Sequence, residues 1–275
     1  MTMRHNRLRE RLRAGEPSLG THLFITWPAV AELAGQAGAF DYVEFVAEYA
    51  PYDLYALENL SRALDLYQLG GMVKIEQEPR TYWAIRAIGS GLQNLLFADI
   101  RTVEDARAAV RATRAEAPHA GGLHGVGMRR DVGYVQEVGT PAFVQALDDA
   151  VVMLMIEKKQ AVEDLDAILS VPGIDMVQFG PADYSMSIGL AGQWSHPKVK
   201  EAERFVIETA LRKGIQPRAE IAQPEQARAY LDLGVRHFCI GWDVRILSDW
   251  FRQQGGAMHK QLFGREAKPV TLGGD

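Results

Sequence analysis

Residues 151–183 read VVMLMIEKKQAVEDLDAILSVPGIDMVQFGPAD, and this stretch decides the fold. It contains two short runs, Val151–Ile156 and Asp175–Phe179, that are apolar almost throughout and do not alternate with polar residues. Such runs are typical of parallel strands that are buried on both faces. The segment between them is long enough for a crossover helix, so the stretch predicts one β–α–β unit with its strands side by side.

The same alternation of apolar runs and helical stretches continues along the whole chain. The eight predicted strands are Leu19–Ile25, Tyr42–Val46, Gly71–Ile75, Asn94–Ala98, Val151–Ile156, Asp175–Phe179, Gln216–Ile221 and His237–Ile240. Helix signals lie between them: Pro28 begins one helix, Thr102 with Asp105 forms a capping box, and Gly214 and Gly234 end two others. Eight repeats predict an α/β protein of one domain, a (β/α)₈ TIM barrel, with a doubly wound open sheet as the alternative.

The length of 275 residues agrees with the roughly 250 residues of one such barrel. We expect the barrel, with an N-terminal and a C-terminal helix, to cover residues 1–263, and residues 264–275 to form a loosely ordered tail. Residues 121–150 exceed a simple helix and loop, so they are predicted to form an elaborated region over the barrel mouth.

Composition excludes several classes of partner. The net charge is −5, from 30 basic and 35 acidic residues, and no basic stripe interleaved with aromatic residues suggests nucleic-acid binding. Cys239 is the one cysteine, which indicates no disulfide framework and favours a reducing cytoplasm. No apolar run reaches about 18 residues, so neither export nor membrane insertion is predicted.

Two carboxylates follow neighbouring strands of the predicted barrel. Glu157 comes directly after VVMLMI, and Asp183 follows DMVQF through Gly-Pro-Ala. Active sites of such barrels lie at the carboxyl ends of the strands, so both side chains are expected at one rim, close enough to share a hard cation. Mg²⁺ or Mn²⁺ would suit oxygen ligands of this kind. The alternative is structural, with each carboxylate capping a helix or pairing with a local cation such as Lys158.

The segment FGPADYSMSIG, residues 179–189, resembles the GPADLS-type signature of the HpcH/HpaI aldolases, the class II, metal-dependent pyruvate aldolases. Further stretches carry the resemblance: AELAGQAGAFDY, GLHGVG, GIDMVQFGPAD and YLDLGVRHFCIGWD. It implies a (β/α)₈ barrel, usually a homo-oligomer, that forms or cleaves a bond to a pyruvate enolate. It also implies that Glu157 and Asp183 bind Mg²⁺ or Mn²⁺, with Co²⁺ as a further option. The backbone of Gly180, Pro181 and Ala182 would then hold the substrate carboxylate near a helix N-terminus.

The chain departs from this family where protons are transferred. The second-strand motif usually ends in Asp-Gly-Glu-His, with the His as base, but residues 46–49 are Val-Ala-Glu-Tyr. The phenol of Tyr49, with an ordinary pKa of about 10, is a poor substitute for imidazole. Lys74 stands where the family has an arginine on the 2-oxo group. It is predicted to polarise that oxygen or to act as a base, a Schiff base being a lesser option, and a plain salt bridge with Glu48 or Glu76 is the alternative.

Other departures surround the predicted site. Gly89 occupies a position where the family often has an acidic residue that reaches a neighbouring subunit, and His124 stands in place of an arginine. His22 in the first strand is a candidate to replace the missing base, although its side chain could equally face the helix layer. We infer that the metal and carboxylate platform is retained while the proton-transfer residues are changed.

The sequence therefore predicts a metal-dependent carbon–carbon lyase that acts on a 2-oxo acid or a related small carboxylate through an enolate. In this interpretation Lys74 stabilises the substrate oxygen, and Tyr49 or His22 moves the proton. Decarboxylation or C–C hydrolysis through a similar enolate is one alternative. A catalytically impaired pseudoenzyme that binds a carboxylate is the other, since one barrel fold hosts many functions.

Overall fold

The computed structural model describes residues 5–268, which form a closed barrel. Its strands are β1 (Ser18–Leu23), β2 (Tyr42–Val46), β3 (Gly70–Ile75), β4 (Asn94–Ile100), β5 (Val151–Ile156), β6 (Met176–Phe179), β7 (Gln216–Ile221) and β8 (His237–Trp242). Each strand pairs in parallel with the next along the chain, and β8 closes the barrel on β1. The predicted (β/α)₈ barrel is confirmed, and the open sheet is excluded.

Helices lie in every crossover between consecutive strands, before β1 and after β8. They are α1 (Arg7–Ala14), α2 (Pro28–Gln36), α3 (Leu54–Leu66), α4 (Arg80–Ser90), α5 (Val103–Thr113), α6 (Pro141–Asp149), α7 (Lys159–Glu163), α8 (Leu165–Ile168), α9 (Pro181–Ser187), α10 (Pro197–Arg212), α11 (Ala227–Asp232), α12 (Asp243–Trp250) and α13 (Gly256–Phe263). Within residues 5–268, no helix combines the length and the apolar character that crossing a membrane requires.

The helix boundaries follow the local signals in the sequence. Thr102 and Asp105 form the predicted capping box at the start of α5, in which each side chain accepts a hydrogen bond from the other's backbone N–H. Gly214 and Gly234 follow α10 and α11 with φ angles of 75° and 95°. L-residues with a side chain rarely adopt such angles, so glycine suits both helix ends.

The bottom of the barrel, where the strands begin, is closed by α1. Leu8 is fully buried and joins the apolar cluster inside the barrel. Arg9 donates two hydrogen bonds, of 2.6 and 2.7 Å, to the carboxylate of Asp175. Asp175 also accepts from the backbone N–H of Val152. Strand β6 begins at Met176, one residue later than predicted.

Residues 121–150 do not cover the barrel mouth, so that prediction was wrong. Arg130 donates a hydrogen bond of 2.8 Å to Ser61 Oγ and pairs with Asp65, both in α3, and it also reaches the carbonyl of Ser90 at the end of α4. Those helix ends lie at the bottom of the barrel, away from the mouth. The reason is apolar burial, because several side chains of the segment belong to the core outside the sheet: Val132, Phe143 and Leu147.

The interior of the barrel has two chemically different sides. One is apolar and consists of side chains from β3 to β6, which we call the methionine side: Met72, Leu96, Met153 and Met176. The other is a group of polar side chains from β1, β2, β6 and β7, which we call the polar ring: His22, Glu44, Gln178, Arg218 and Glu220. Inward positions alternate along each strand, so both groups follow from the strand register.

Candidate active site

Glu157 directly follows β5 and lines the mouth of the barrel. Only 3% of the residue is exposed, and its Oε1 accepts a hydrogen bond of 2.9 Å from the backbone N–H of Asp99. A Cβ added to Gly180, at the junction of β6 and α9, would lie 2.6 Å from Glu157 Oε2. The Glu157 carboxylate therefore occupies space that only a glycine at position 180 leaves open.

Asp183 lies in the first turn of α9. Its carboxylate and that of Asp99 both pair with the same lysine, Lys158. The ammonium of Lys158 is 2.6 Å from Asp183 Oδ1 and 2.6 Å from Asp99 Oδ1. The pairing of Asp183 with Lys158, predicted as the structural alternative, is thus present. Asp99 was not predicted, and it adds a third carboxylate to this rim. The negative charge here attracts a cation.

Lys74 occupies the last inward position of β3, beside residues that follow β2. Its Nζ lies 2.5 Å from Glu48 Oε2 and donates a hydrogen bond of 2.9 Å to Tyr49 Oη. Burial alone would lower the pKa of Lys74, but Tyr49, Glu157 and Glu48 outweigh burial and raise it. Lys74 is therefore an ammonium group, suited to stabilising a negative oxygen and unsuited to acting as a base.

The pKa values of Glu157 and Tyr49, which lie near Lys74, are also raised. Burial raises the pKa of Glu157, and Lys74 partly opposes that effect. Burial likewise raises the pKa of the Tyr49 phenol, again against Lys74. Tyr49 is 49% exposed and its ring stacks on Trp242 at 6.3 Å. At neutral pH the phenol keeps its proton, so it serves as a hydrogen-bond donor or acid.

His22 faces the barrel interior, which decides between the two orientations left open by the sequence. Its Nδ1 lies 3.0 Å from the Gly241 carbonyl oxygen, and its ring stacks on Trp242 at 4.7 Å. A carbonyl only accepts, so Nδ1 carries the proton and Nε2 faces Glu44 at 3.6 Å and Glu220 at 3.7 Å. Because 1% of His22 is exposed, it reaches a substrate only through a neighbour.

One cavity of about 810 Å³ brings the predicted site residues together. It is lined by all eight of them: His22, Tyr49, Lys74, Glu157, Gly180, Pro181, Ala182 and Asp183. The polar ring and Trp242 line the same cavity. Within residues 5–268, no group of three or more His, Cys, Asp or Glu side chains is arranged to hold a metal. A metal here would have two protein carboxylates and complete its shell with water or substrate.

A model of the HpcH/HpaI aldolase/citrate lyase family matches residues 26–249. The chain belongs to this family. It is 32% identical over 248 residues to the 4-hydroxy-2-oxo-heptane-1,7-dioate aldolase of Klebsiella pneumoniae, a match that covers 89% of this chain and 90% of the relative. The crystal structure of an HpcH/HpaI aldolase from Desulfitobacterium hafniense has a TM-score of 0.85 and 28% identity, covering 96% of this chain and 100% of that one.

A more distant structure shares the fold alone. It is a citrate lyase beta subunit from M. tuberculosis complexed with oxaloacetate and magnesium. The match has 14% identity and a TM-score of 0.54, and it covers 84% of this chain and 94% of that one. As a member of the HpcH/HpaI family, the present protein is a carbon–carbon lyase of the aldolase type. The resemblance stated from the sequence is confirmed. Enzymes of the family depend on a divalent metal.

Two departures from the family pattern lie away from the cavity. Gly89 is in the last turn of α4, where an added Cβ would stand 2.4 Å from Arg129 Cδ. His124 is buried and lies 3.0 Å from an Arg129 guanidinium nitrogen. Burial, together with Arg129, lowers the pKa of His124 to about 4. Both positions thus accommodate Arg129 at the bottom of the barrel.

The polar ring contains four residues that sequence reasoning missed. They are Glu44, Gln178, Arg218 and Glu220. A signal was present for three of them, because YVEFV carries one charged residue, Glu44, and QPRAEI carries two, Arg218 and Glu220, two positions apart in strands that are mostly apolar. In a closed barrel, alternating positions share the interior face. Charges there are rarely buried without partners, so they could have been flagged as part of a site.

Proposed function

We propose that this HpcH/HpaI family member forms or cleaves a carbon–carbon bond of a 2-oxo acid, or of a related small carboxylate, through an enolate. One observation carries the proposal: the carboxylates of Glu157 and Asp183 and the ammonium of Lys74 line one cavity. The two carboxylates could hold a cation, and that cation together with the Lys74 ammonium would supply positive charge to stabilise the negative oxygen of an enolate.

Glu157 and Asp183 are the proposed metal ligands. Their carboxylate oxygens are hard donors that suit Mg²⁺ or Mn²⁺, with Co²⁺ as a further option. The residues fit a cation, since Lys158 already lies against Asp183 and Gly180 leaves the space that the Glu157 carboxylate fills. When bound, the metal polarises the substrate carbonyl and stabilises the negative charge of the enolate.

Lys74 is proposed to donate a hydrogen bond to the 2-oxo oxygen. Its contacts with Glu48 and Tyr49 hold the side chain in place and keep it charged. A fixed charge that stabilises developing negative charge accelerates enolisation without moving a proton. This role agrees with its raised pKa, which disfavours both the base and the Schiff-base alternatives.

The backbone of Gly180, Pro181 and Ala182 is the proposed binding segment for the substrate carboxylate. These residues line the cavity beside Glu157, and they match the family signature. Pro181 has no N–H, so the N–H groups that follow it in the first turn of α9 are the available donors. Tyr49, whose phenol oxygen accepts a hydrogen bond from Lys74, is proposed to supply a proton.

A homo-oligomer is the proposed assembly, with a second copy of this chain covering the C-terminal helices. No residue of α13 is buried in the single chain, and α13 packs chiefly on the π-helical turn Phe251–Gly255 that precedes it. The helices expose large apolar side chains, namely Trp250, Phe251, Leu262 and Phe263. Contiguous exposed apolar surface of this kind is typical of interfaces.

The free thiol of Cys239 supports a reducing, cytoplasmic location.

The experiment follows release of pyruvate from 4-hydroxy-2-oxo acids. The substrates include 4-hydroxy-2-oxo-heptane-1,7-dioate, because a relative's name specifies that compound. Metal-stripped protein is assayed with and without Mn²⁺, beside Glu157→Gln and the control Glu203→Gln, whose residue lines the same cavity. We expect release that requires metal, fails in E157Q and persists in E203Q.

Release that is independent of metal, or undiminished in E157Q, would overturn the proposal. Release of carbon dioxide or of a hydrolysis product in place of an aldehyde would favour the decarboxylase or hydrolase alternative. Binding of Mn²⁺ and pyruvate with no turnover of any substrate would favour the pseudoenzyme.

A further inference from the structure

Glu220 is the one member of the polar ring that reaches open space in the cavity. Its side chain is 34% exposed, while the side chains of His22, Glu44 and Arg218 are at most 1% exposed. In the pairing of β6 with β7, Gln178 lies beside Arg218. Gly180 and Glu220 each come two residues later in their chain segments, so they lie at the same level of the barrel. Glu220 therefore stands at the same height in the barrel as the proposed carboxylate-binding segment.

The Glu220 carboxylate is held in a fixed orientation. Its Oε1 accepts a hydrogen bond of 2.7 Å from Trp242 Nε1, and its Oε2 accepts one of 3.2 Å from Gln178 Nε2. The Gln178 amide is itself oriented, because its oxygen accepts from Arg218 Nε at 2.6 Å. A carboxylate held by such positioned donors keeps one orientation, whereas a flexible surface carboxylate samples many.

The polar ring closes on itself through His22. Arg218 forms an ion pair with Glu44, and His22 Nε2 lies between Glu44 and Glu220. Arg218 neutralises one of the two carboxylates. The other carboxylate, Glu220, lies 3.7 Å from His22 Nε2, so the imidazole packs against the side chain that reaches the cavity.

We propose that Glu220 is the base that removes and returns the proton of the substrate carbon, and that His22 is its positioning residue. This inference rests on the proposed function. It places the proton-transfer group on β7, whereas Tyr49, at the position of the family histidine, follows β2. Among the exposed groups of the cavity, Glu220 is a carboxylate that is engaged neither by an ammonium group nor by the proposed metal site.

The step balances without a further reactant. A Glu220 carboxylate oxygen takes a proton from the carbon next to the carbonyl, and that C–H bond breaks. Its electron pair forms the carbon–carbon double bond of the enolate, and the carbonyl π electrons move to the substrate oxygen near Lys74. On return, the proton passes from Glu220 to carbon. Exchange of that proton with solvent while it is on Glu220 makes the step observable.

The experiment measures exchange of the pyruvate methyl protons for deuterium by NMR, with Mn²⁺ added and then removed by a chelator before detection. Wild type is compared with Glu220→Gln, Glu220→Asp and the control Glu203→Gln. We expect E220Q to lose exchange by roughly 10²-fold or more, E220D to lose less, and E203Q to match the wild type. Mn²⁺ affinity and the thermal midpoint should be similar in all four proteins.

His22→Gln tests the positioning role by separating the rate of exchange from the affinity for pyruvate. The charged groups that face His22 are Glu44 from β2 and Arg218 and Glu220 from β7. Without the imidazole, which lies 3.7 Å from Glu220 and stacks on Trp242, the Glu220 carboxylate should be less well oriented. H22Q should therefore lower the maximal exchange rate roughly tenfold and leave the pyruvate concentration for half-maximal exchange nearly unchanged.

The outcomes separate the two claims. If the wild type shows no metal-dependent exchange, the proposed function fails, and this inference fails with it. If the wild type exchanges and E220Q exchanges equally fast, this inference alone is overturned. Equal maximal exchange rates in H22Q and the wild type would remove the positioning role of His22.

Discussion

The two sides of the barrel interior differ in what they carry and in how readily they could be predicted. The methionine side is apolar, and the carboxylates of Glu157 and Asp183 lie above its β5 and β6 strands. The polar ring lies opposite and contains a buried ion pair, Glu44 with Arg218, beneath the exposed Glu220. One side thus supports the proposed metal ligands, and the other supports the proposed proton transfer.

This difference teaches where a family pattern is retained and where it has changed. The resemblance seen in the sequence implies that the GPAD segment and Glu157 keep the family positions, whereas Tyr49 stands where the family has a histidine. We propose that the polar ring supplies what that replacement removed. If the two sides act separately, substitutions on each should change different properties of the protein.

The largest effect is expected from Asp183→Ala. Removing one of two proposed metal ligands should abolish tight Mn²⁺ binding and lower turnover by roughly 10³-fold, because the charge on the substrate oxygen loses its main stabilisation. Mn²⁺ binding is measured by electron paramagnetic resonance, and turnover by pyruvate release. Normal Mn²⁺ affinity in D183A, or turnover equal to that of the wild type, would contradict the metal role.

A large loss of stability is expected from Arg218→Met. It leaves the Glu44 carboxylate buried without its partner, which costs about 3–5 kcal/mol in the free energy of unfolding. The double variant E44L/R218M removes both charges and should recover most of that loss. Met153→Leu, on the methionine side, is the control and should cost less than about 1.5 kcal/mol. Urea unfolding that gives equal losses for R218M and M153L would erase the distinction between the sides.

A smaller effect is expected from Lys158→Met on metal affinity. The Lys158 ammonium lies against Asp183 and Asp99, so it competes with a metal for their negative charge. Removing it should tighten Mn²⁺ binding roughly tenfold. Lys159→Met is the matched control, because Lys159 is largely exposed and pairs only distantly with Glu163. Weaker Mn²⁺ binding in K158M would show that Lys158 supports the site.

The pH dependence of stability should also differ between the sides. Burial alone would raise the pKa of Glu44, but Arg218 and then His22 outweigh burial and hold it below its ordinary value of 4.5. A depressed folded-state pKa contributes stability that is present above the ordinary value and lost as the pH falls through the folded one. The stability of the wild type should therefore fall relative to E44L/R218M below about pH 4.5. Urea unfolding at a series of pH values measures this, and a constant difference would contradict it.

The fold could be predicted from the sequence because strand periodicity and helix caps are local signals. The placement of Glu157 and Asp183 at the barrel mouth could also be predicted, since Glu157 directly follows β5 and Asp183 lies in the first turn after β6. The path of residues 121–150 could not, because it depends on long-range contacts such as that of Arg130 with α3. Glu220 was missed for a similar reason: its partners Gln178 and Trp242 lie on other strands. Barrel closure brings them together.

Metal-dependent exchange of the pyruvate methyl protons tests the central claim most directly. Metal-stripped wild type and Glu157→Gln are each followed by NMR in deuterium oxide before and after addition of Mg²⁺ or Mn²⁺, with the metal removed for detection where it broadens the signal. We expect exchange only in the wild type and only with metal. Exchange without metal, exchange undiminished in E157Q, or no exchange by wild type with bound metal would each contradict it.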